Sequence, residues 1–129
     1  MALQDRADTI RFAGSVGPGN SETERYLVER PSRIDEVRIR IYRGAELALQ
    51  VVPFAEFGTN PGRRRRSTII RFAGDKQYVD GDDDAWEFPV RIPIDDDEVV
   101  GIEVENTDDQ YTYDYSVDFH LTRTDGGGQ

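Results

Sequence analysis

Hydrophobic and polar residues alternate along most of the chain, which predicts β-strands rather than helices. The clearest example is residues 111–122, where apolar side chains occupy every second position. An extended strand points successive side chains to opposite faces, so each such segment has one buried face and one wet face. The apolar sets that share a face are Tyr111, Tyr113, Tyr115, Val117, Phe119 and Leu121; Trp86, Phe88, Val90, Ile92 and Ile94; Val37, Ile39 and Ile41; Leu47, Leu49 and Val51; and Val100, Ile102 and Val104.

Three shorter apolar runs, centred on residues 10–12, 26–28 and 69–72, bring the expected number of strands to eight. Clusters of Gly, Pro, Asn and Asp separate the strands and mark turns. The 129 residues fit one domain. We therefore expect a single all-β domain over residues 1–129, an eight-stranded antiparallel β-sandwich of the jelly-roll or double Greek key type.

An internal repeat suggests that the strands form two duplicated four-strand halves. The pentapeptide IRFAG occurs at residues 10–14 and again at 70–74, and further matching residues follow each copy in the same order. Repeated landmarks of this kind indicate a duplicated structural unit. The two halves would be residues 9–54 and 68–122.

Prolines indicate which strands lie at sheet edges. Pro31, Pro89 and Pro93 all fall in the second expected strand of their half. Because proline cannot donate a ladder hydrogen bond, it is tolerated in sheets chiefly at edges. The second strand of each half is therefore expected to be an edge strand.

The charge balance of the chain is strongly negative and unusual in its residue types. There are 16 Asp and 10 Glu against 15 Arg and a single Lys, which gives a net charge of −10. Such a charge destabilises a compact state by self-repulsion, and molar salt screens that repulsion because the Debye length falls to about 3 Å. An Asp-rich, Lys-poor composition is typical of halophilic proteins. A GC-rich genome would explain the preference for Arg but not the excess of Asp.

Composition also excludes several classes of function. The chain has no cysteine, which excludes disulfides, thiol nucleophiles and Cys-ligated metals, and its single histidine leaves little for acid–base catalysis. No apolar run is long enough for a membrane span, and the start MALQDRADTI predicts no secretory signal. The negative charge disfavours nucleic-acid binding, which depends on cations that neutralise phosphates.

One possible catalytic grouping is Ser116, Asp118 and His120, which share the polar face of the last strand. Neighbours on one face of a strand are about 7 Å apart, which is beyond hydrogen-bond reach. We therefore predict a surface histidine and no catalytic residues.

Three acidic clusters could bind calcium, at residues 80–84, 95–98 and 108–109. Oxygen-rich loops can hold Ca²⁺, but none of these clusters has the glycine position of the calcium-binding loop motif. Solvated acidic turns are the favoured interpretation and no metal site is expected. The weak calcium candidates are Asp80, Asp82, Asp84, Asp108 and Asp109.

Four consecutive arginines, Arg63, Arg64, Arg65 and Arg66, are expected to form a cationic loop. Adjacent guanidinium groups repel one another unless an anion lies opposite, and guanidinium pairs well with carboxylate or phosphate. We interpret this run as a partner-binding site without an obvious partner inside the domain. Carboxylates of a neighbouring subunit are favoured over phosphates, whose binding weakens steeply with salt. A mobile, solvated loop is the alternative.

Aromatic residues raise the possibility of a carbohydrate site. Trp86, Tyr111, Tyr113 and Tyr115 are in phase with aliphatic core residues, whereas Tyr42 and Tyr78 point outward. Most of the aromatic residues are therefore expected in the core.

In composition, strand number, size and lack of catalytic residues, the chain resembles a small β-sandwich structural protein of a haloarchaeal virus particle. The resemblance implies a non-catalytic capsid accessory, decoration or tail component that stabilises a symmetric assembly and resides in the virion, assembled in the host cytoplasm. Its implied partners are other virion proteins and copies of itself, without a cofactor or small-molecule substrate. The alternative is a carbohydrate- or calcium-binding module of a haloarchaeal protein. An enzyme on a cupin-like barrel would need more histidines for its metal.

Overall fold

A computed structural model describes residues 7–42, 48–58, 60–69, 80 and 84–124, and it confirms the all-β prediction. Within these residues there is no helix long and apolar enough to cross a membrane. One short 3-10 turn, Pro61–Arg63, accompanies the strands. The eight strands are β1 (Ala7–Val16), β2 (Ser21–Leu27), β3 (Ser32–Ile41), β4 (Leu49–Phe57), β5 (Arg65–Thr68), β6 (Asp84–Ile94), β7 (Val99–Asn106) and β8 (Tyr113–Arg123).

The strands form two four-stranded antiparallel sheets. We call the sheet with the order β1-β8-β3-β6 sheet A and the sheet with the order β2-β7-β4-β5 sheet B. The first strand pairs with the last, the second with the seventh, the third with the sixth and the fourth with the fifth. In this pairing the first half of the chain runs antiparallel to the second half, and the resulting strand pairs are distributed over two layers. Of the two topologies that the sequence left open, the observed order is that of a jelly roll.

Most of the core between the sheets consists of residues that the alternating pattern placed on buried faces, and Val16, Ile34 and Ala55 add to it. The prediction is confirmed for Val37, Ile39 and Ile41 of β3, for the described members of the β4 and β7 sets, and for the β8 set from Tyr115 onward. These strands are central in their sheets, so both neighbours and the opposite sheet cover them. The residues of the core cluster are Phe12, Val16, Val28, Ile34, Val37, Ile39, Ile41, Leu49, Val51, Ala55, Ile94, Val100, Ile102, Val104, Tyr115, Val117, Phe119 and Leu121.

A hydrogen bond between side chains joins the two sheets. The hydroxyl of Tyr115, on β8 of sheet A, donates a hydrogen bond to Oε2 of Glu24, on β2 of sheet B, at 2.6 Å. Burial, together with the hydrogen bond and negative charge of Glu24, raises the pKa of Tyr115. The tyrosine therefore stays protonated and joins the two layers at their β2 side.

The edge prediction from the prolines is confirmed for β2 and β6, which both lie at sheet edges. Pro89 and Pro93 lie in β6, but Pro31 lies after the end of β2 and not within it. The sequence did not anticipate Pro53 in the central strand β4. The ladder between β4 and β5 begins only at Phe54, and the Pro53 carbonyl accepts from the Ile69 amide, so its missing donor falls at the end of the ladder.

The fifth strand begins earlier than expected. The sequence placed it around residues 69–72, whereas β5 comprises Arg65–Thr68, because these residues pair with Phe54 to Phe57 of β4. The second IRFAG copy, residues 70–74, lies outside the described residues, so the duplication stays a prediction.

Candidate functional site: the arginine run and the outer faces

The arginine run is not a loop throughout. Asn60 caps a 3-10 turn that includes Arg63, and its side-chain oxygen accepts a hydrogen bond from the Gly62 amide at 3.1 Å. Arg64 is extended, with φ −68° and ψ 141°, and strand β5 begins at Arg65. Because an extended chain alternates its side chains, Arg64 and Arg66 lie on one side and Arg65 on the other. The run is therefore divided into two structurally different pairs.

The Arg64 side chain forms hydrogen bonds with two connecting segments at one end of the sandwich. Its Nε donates to the carbonyl of Gly58 at 3.0 Å, and its Nη2 donates to the carbonyl of Asp97 at 2.8 Å. The carboxylate of Glu98 reinforces this junction by accepting from the Gly58 amide at 2.6 Å and the Asp95 amide at 2.9 Å. Arg64 and the acidic turn at 95–98 thus hold the segment between β4 and β5 against the turn between β6 and β7.

Arg66 covers an aromatic ring on the outer face of sheet B. Its guanidinium lies 3.8 Å from the ring centroid of Phe54, and its Nη2 donates to Glu103 at 2.8 Å. Arg25 lies 5.6 Å from the centroid of the same ring and pairs with Glu56 at 3.0 Å. As a result Phe54 is 0% exposed although it is on the side of β4 that faces away from the core. Cation–π contacts of this kind favour the guanidinium over the aromatic face.

Gly101 creates the space for this ring. It pairs directly with Phe54 in the register of β4 and β7. A Cβ at this position would lie 2.5 Å from the Glu24 carbonyl oxygen and 2.6 Å from the Phe54 ring. The alternating pattern of the sequence does not predict this cluster. Its only signal was a phenylalanine in the polar phase of β4 and a glycine that interrupts an apolar run in β7.

Arg63 and Arg65 are exposed, as is Arg66, but they differ from Arg66 in their contacts. Within the part of the chain that the structure describes, neither side chain forms an ion pair or hydrogen bond with another residue. The expectation that the run has no partner inside the domain is therefore wrong for Arg64 and Arg66, which bind backbone carbonyls and a carboxylate. The structure leaves two guanidinium groups available to an external anion.

The outer face of sheet A carries a row of alternating charge. Arg11, Asp118, Arg38 and Glu87 stand side by side across its four strands. Arg11 donates from Nε and Nη2 to the two Asp118 oxygens at 2.7 and 2.8 Å. This hydrogen bonding and the charge of Arg11 lower the pKa of Asp118. The charges on this face are therefore neutralised locally.

The Ser116, Asp118 and His120 grouping is not assembled as a catalytic triad. Asp118 is held by Arg11, and Nδ1 of His120 lies 3.1 Å from the hydroxyl of Thr9 on the neighbouring strand. The histidine is half-buried, and its Nε2 is buried without a hydrogen-bond partner in the described structure. The predicted surface histidine is thus more enclosed than expected, because Thr9 of β1 lies beside it.

The described part of the chain contains no group of three or more His, Cys, Asp or Glu side chains that could hold a metal ion. Among the calcium candidates, Asp108 accepts hydrogen bonds from the Tyr113 hydroxyl and from the Gln110 amide. These bonds, the one from Tyr113 foremost, lower its pKa. Its carboxylate is therefore occupied in shaping the turn before β8. Asp109 is exposed, Asp80 is half-buried, Asp82 lies outside the described residues, and only the backbone of Asp84 is described.

Two aromatic residues expected in the core are exposed. Trp86 is 36% and Tyr111 is 62% exposed, because Trp86 lies on the edge strand β6 and Tyr111 precedes the start of β8. At both positions the alternation of apolar and polar residues in the sequence extends beyond the part of the strand that the opposite sheet covers. Tyr42 is exposed as predicted, and Tyr78 lies outside the described residues.

The described surface includes several open depressions, of which two lie beside β1 or on sheet A. One, of about 320 Å³, lies between the edge strands β1 and β2 and has Ile10, Val28 and Leu121 among its walls. The other, of about 410 Å³, lies on the outer face of sheet A near Arg38 and Arg40.

No family model and no curated protein match the chain. Among solved structures, a crystal structure of the infectious bursal disease virus VP2 subviral particle matches 97% of this chain and 34% of the VP2 chain, with a TM-score of 0.59 and 16% identity. T=1 particles derived from infectious bursal virus match 97% of this chain and 33% of theirs, with a TM-score of 0.57 and 14% identity. The Yersinia pseudotuberculosis-derived mitogen matches 92% of this chain and 87% of its own, with a TM-score of 0.50 and 14% identity. The chain is therefore similar in fold to these proteins, and it spans about a third of the length of the viral protein.

Proposed function

We propose that the protein is a non-catalytic structural component of a virus particle, as a capsid accessory, decoration or tail component. The observation that carries the proposal is the jelly-roll match over 97% of the chain to a protein whose structure is that of a subviral particle. The polar grouping on β8 supports a non-catalytic role, because Arg11 and Thr9 already engage Asp118 and His120. In this role the domain packs with copies of itself and with other virion proteins.

The particle we propose belongs to a virus of halophilic archaea. The net charge of −10 and the single lysine support this source. Charge on the outer face of sheet A is balanced within its own row, and the acidic excess is found at exposed turn positions such as Asp95, Asp96 and Asp109. Such turns repel neighbouring copies in dilute buffer, and salt removes that repulsion.

Arg63 and Arg65 are the residues we propose as a contact with acidic surface of a neighbouring virion protein. Their exposure supports this assignment, since Arg64 and Arg66 already bind within the domain. Guanidinium groups pair bidentately with carboxylates, and such pairs stabilise contacts between acidic proteins. Replacing both residues with serine should leave folding unchanged and weaken assembly with that neighbour.

Light scattering and negative-stain electron microscopy of the purified protein test the proposal. We expect association into regular assemblies as KCl rises from about 0.1 to about 1 M, where the Debye length falls from about 10 to about 3 Å. A protein that stays monomeric over this range would contradict a self-assembling role. Calcium binding in titration calorimetry, or retention on a glycan array by such a monomer, would instead support the binding-module alternative.

A further inference from the structure

Four strands lie at the edges of the two sheets, and in three of them the sequence opposes further pairing. Edge strands expose unpaired backbone groups, which proline, charge or shortness can protect. β6 contains Pro89 and Pro93, and β5 has only 4 residues. β2 carries three charged residues, Glu22, Glu24 and Arg25, within 7 residues, a higher density than in β1, although Glu24 and Arg25 also bind within the domain. Further strands are therefore disfavoured at these three edges.

The fourth edge strand, β1, lacks these features. It has 10 residues, no proline and only two charged residues, Asp8 and Arg11. Both charges are neutralised within the domain, Asp8 by Arg123 at 2.9 Å and Arg11 by Asp118 at 2.7 Å. The exposed positions that follow, residues 13–15, are Ala, Gly and Ser. Among the residues that the structure describes, this edge is thus neutral and uncovered, in a protein with a net charge of −10.

Two partly exposed apolar or aromatic side chains lie next to this open edge. The depression of about 320 Å³ between β1 and β2 is lined mostly by polar and charged residues such as Arg30, and by Ile10 and Tyr26. Ile10 is half-buried and Tyr26 is 37% exposed, whereas Val28 and Leu121, which also line it, are buried. A strand added beside β1 would bring its own side chains over this area. Main-chain pairing and apolar burial would then act together, as in other strand-addition interfaces.

We propose that two copies of the chain associate through their β1 strands, running antiparallel about a two-fold axis at Ala13. The sheets A of the two copies then form one continuous eight-stranded sheet. The register sets Arg11 opposite Ser15 of the second copy, so like charges do not meet. Phe12 faces Gly14 of the second copy and Ile10 faces Val16 of the second copy. A two-fold interface requires such a self-complementary patch, and an acidic protein offers it to a second copy only where its surface is neutral.

This inference deepens the proposed function, on which it rests, because it names the surface through which copies meet. The test uses the absence of cysteine in the chain, since any introduced cysteine is the only thiol. Ala13 and Ala85 provide a matched pair of positions. Both are exposed, and they stand at opposite ends of one row of sheet A, through Ser116 and Arg40.

Oxidation of Ala13→Cys in about 1 M KCl should give a disulfide-linked dimer, because directly opposed Cβ atoms lie about 4.5–5.5 Å apart. The Ala85→Cys protein should stay unlinked. Spin labels on Ala85→Cys should be about 34 Å apart, since seven strand spacings of about 4.8 Å separate the two positions in the dimer. The same labels at Ala13→Cys should give a much shorter distance.

A second pair of variants tests the same edge without cysteine. Ala13→Glu places two like charges across the two-fold axis and should abolish the dimer, while Ala85→Glu adds the same charge at the other edge and should keep it. Circular dichroism confirms that both variants are folded.

Three outcomes would overturn the inference. Linkage through Ala85→Cys alone would assign the contact to β6. If regular assemblies form but the spin labels on Ala13→Cys are far apart, the β1 interface is rejected and the proposed function is not. A monomer at all salt concentrations would reject both. A dimer linked at Ala13 that forms no larger particle would support the interface and count against the virion role.

Discussion

Replacing the four arginines of the run one at a time should divide them into two classes. Arg64→Ser and Arg66→Ser should destabilise the domain, whereas Arg63→Ser and Arg65→Ser should not. Each substitution removes one positive charge from the same short segment, so general electrostatic effects are matched. The difference therefore reports the local contacts of Arg64 and Arg66.

The structure sets the magnitude of the effect. For Arg66 the partly exposed pair with Glu103 contributes at most about 1 kcal/mol, and the contact with the covered Phe54 ring contributes about 1–2 kcal/mol. For Arg64, loss of two charge-assisted hydrogen bonds to carbonyls should cost about 1–3 kcal/mol. The exposed Arg63 and Arg65 variants should stay within about 0.5 kcal/mol of the parent protein.

Urea unfolding followed by circular dichroism measures these differences, because urea, unlike guanidinium, leaves ionic contacts unscreened. At constant m-value, the midpoints of the Arg64 and Arg66 variants should fall while those of the other two stay unchanged. Four equal midpoints would refute the division of the run. A large loss on replacing Arg63 or Arg65 would show that these exposed groups also stabilise the domain.

Three further predictions follow from individual contacts. Gly101→Ala should cost about 1–3 kcal/mol or prevent folding, because its Cβ would overlap the Phe54 ring, and thermal unfolding measures this loss. Asn106→Ala should cost about 2–4 kcal/mol in urea unfolding, since this buried amide donates to two carbonyls and accepts from the Asp108 amide. The lowered pKa of Asp118 stabilises the fold fully above the unfolded value of about 3.9 and progressively less as the pH falls through the native pKa. An Asp118→Asn protein should therefore show a shallower loss of stability in acid titration.

The sequence was sufficient for those parts of the fold that depend on local pattern. Alternation identified the buried faces of β3, β4, β7 and β8, because each central strand is covered by its neighbours and by the opposite sheet. It failed for Trp86 and Tyr111, since the pattern does not reveal where that cover ends. Proline identified the edge strand β6 because a missing donor has a direct consequence for pairing. For β2 the edge assignment is correct but this reason does not apply, because Pro31 lies outside the strand.

The candidate site was less predictable because its contacts join distant parts of the chain. The sequence shows that Arg64 is cationic, but its partners are the backbone carbonyls of Gly58 and Asp97. Because every residue has a backbone carbonyl, the sequence does not identify these two as partners. The cover of Phe54 depends on the register of β4 against β7, which places Gly101 beneath the ring. Side-chain pattern alone carries no information on either contact. The division of the arginine run therefore emerged only from the structure.

The measurement that tests the virion role most directly is mass spectrometry of purified particles of a virus that encodes this chain and infects a high-salt host. The proposal predicts peptides of this protein in the particles, at a fixed copy number relative to the other structural proteins. Its absence from purified particles, while it is abundant in the infected cells, would contradict the proposal.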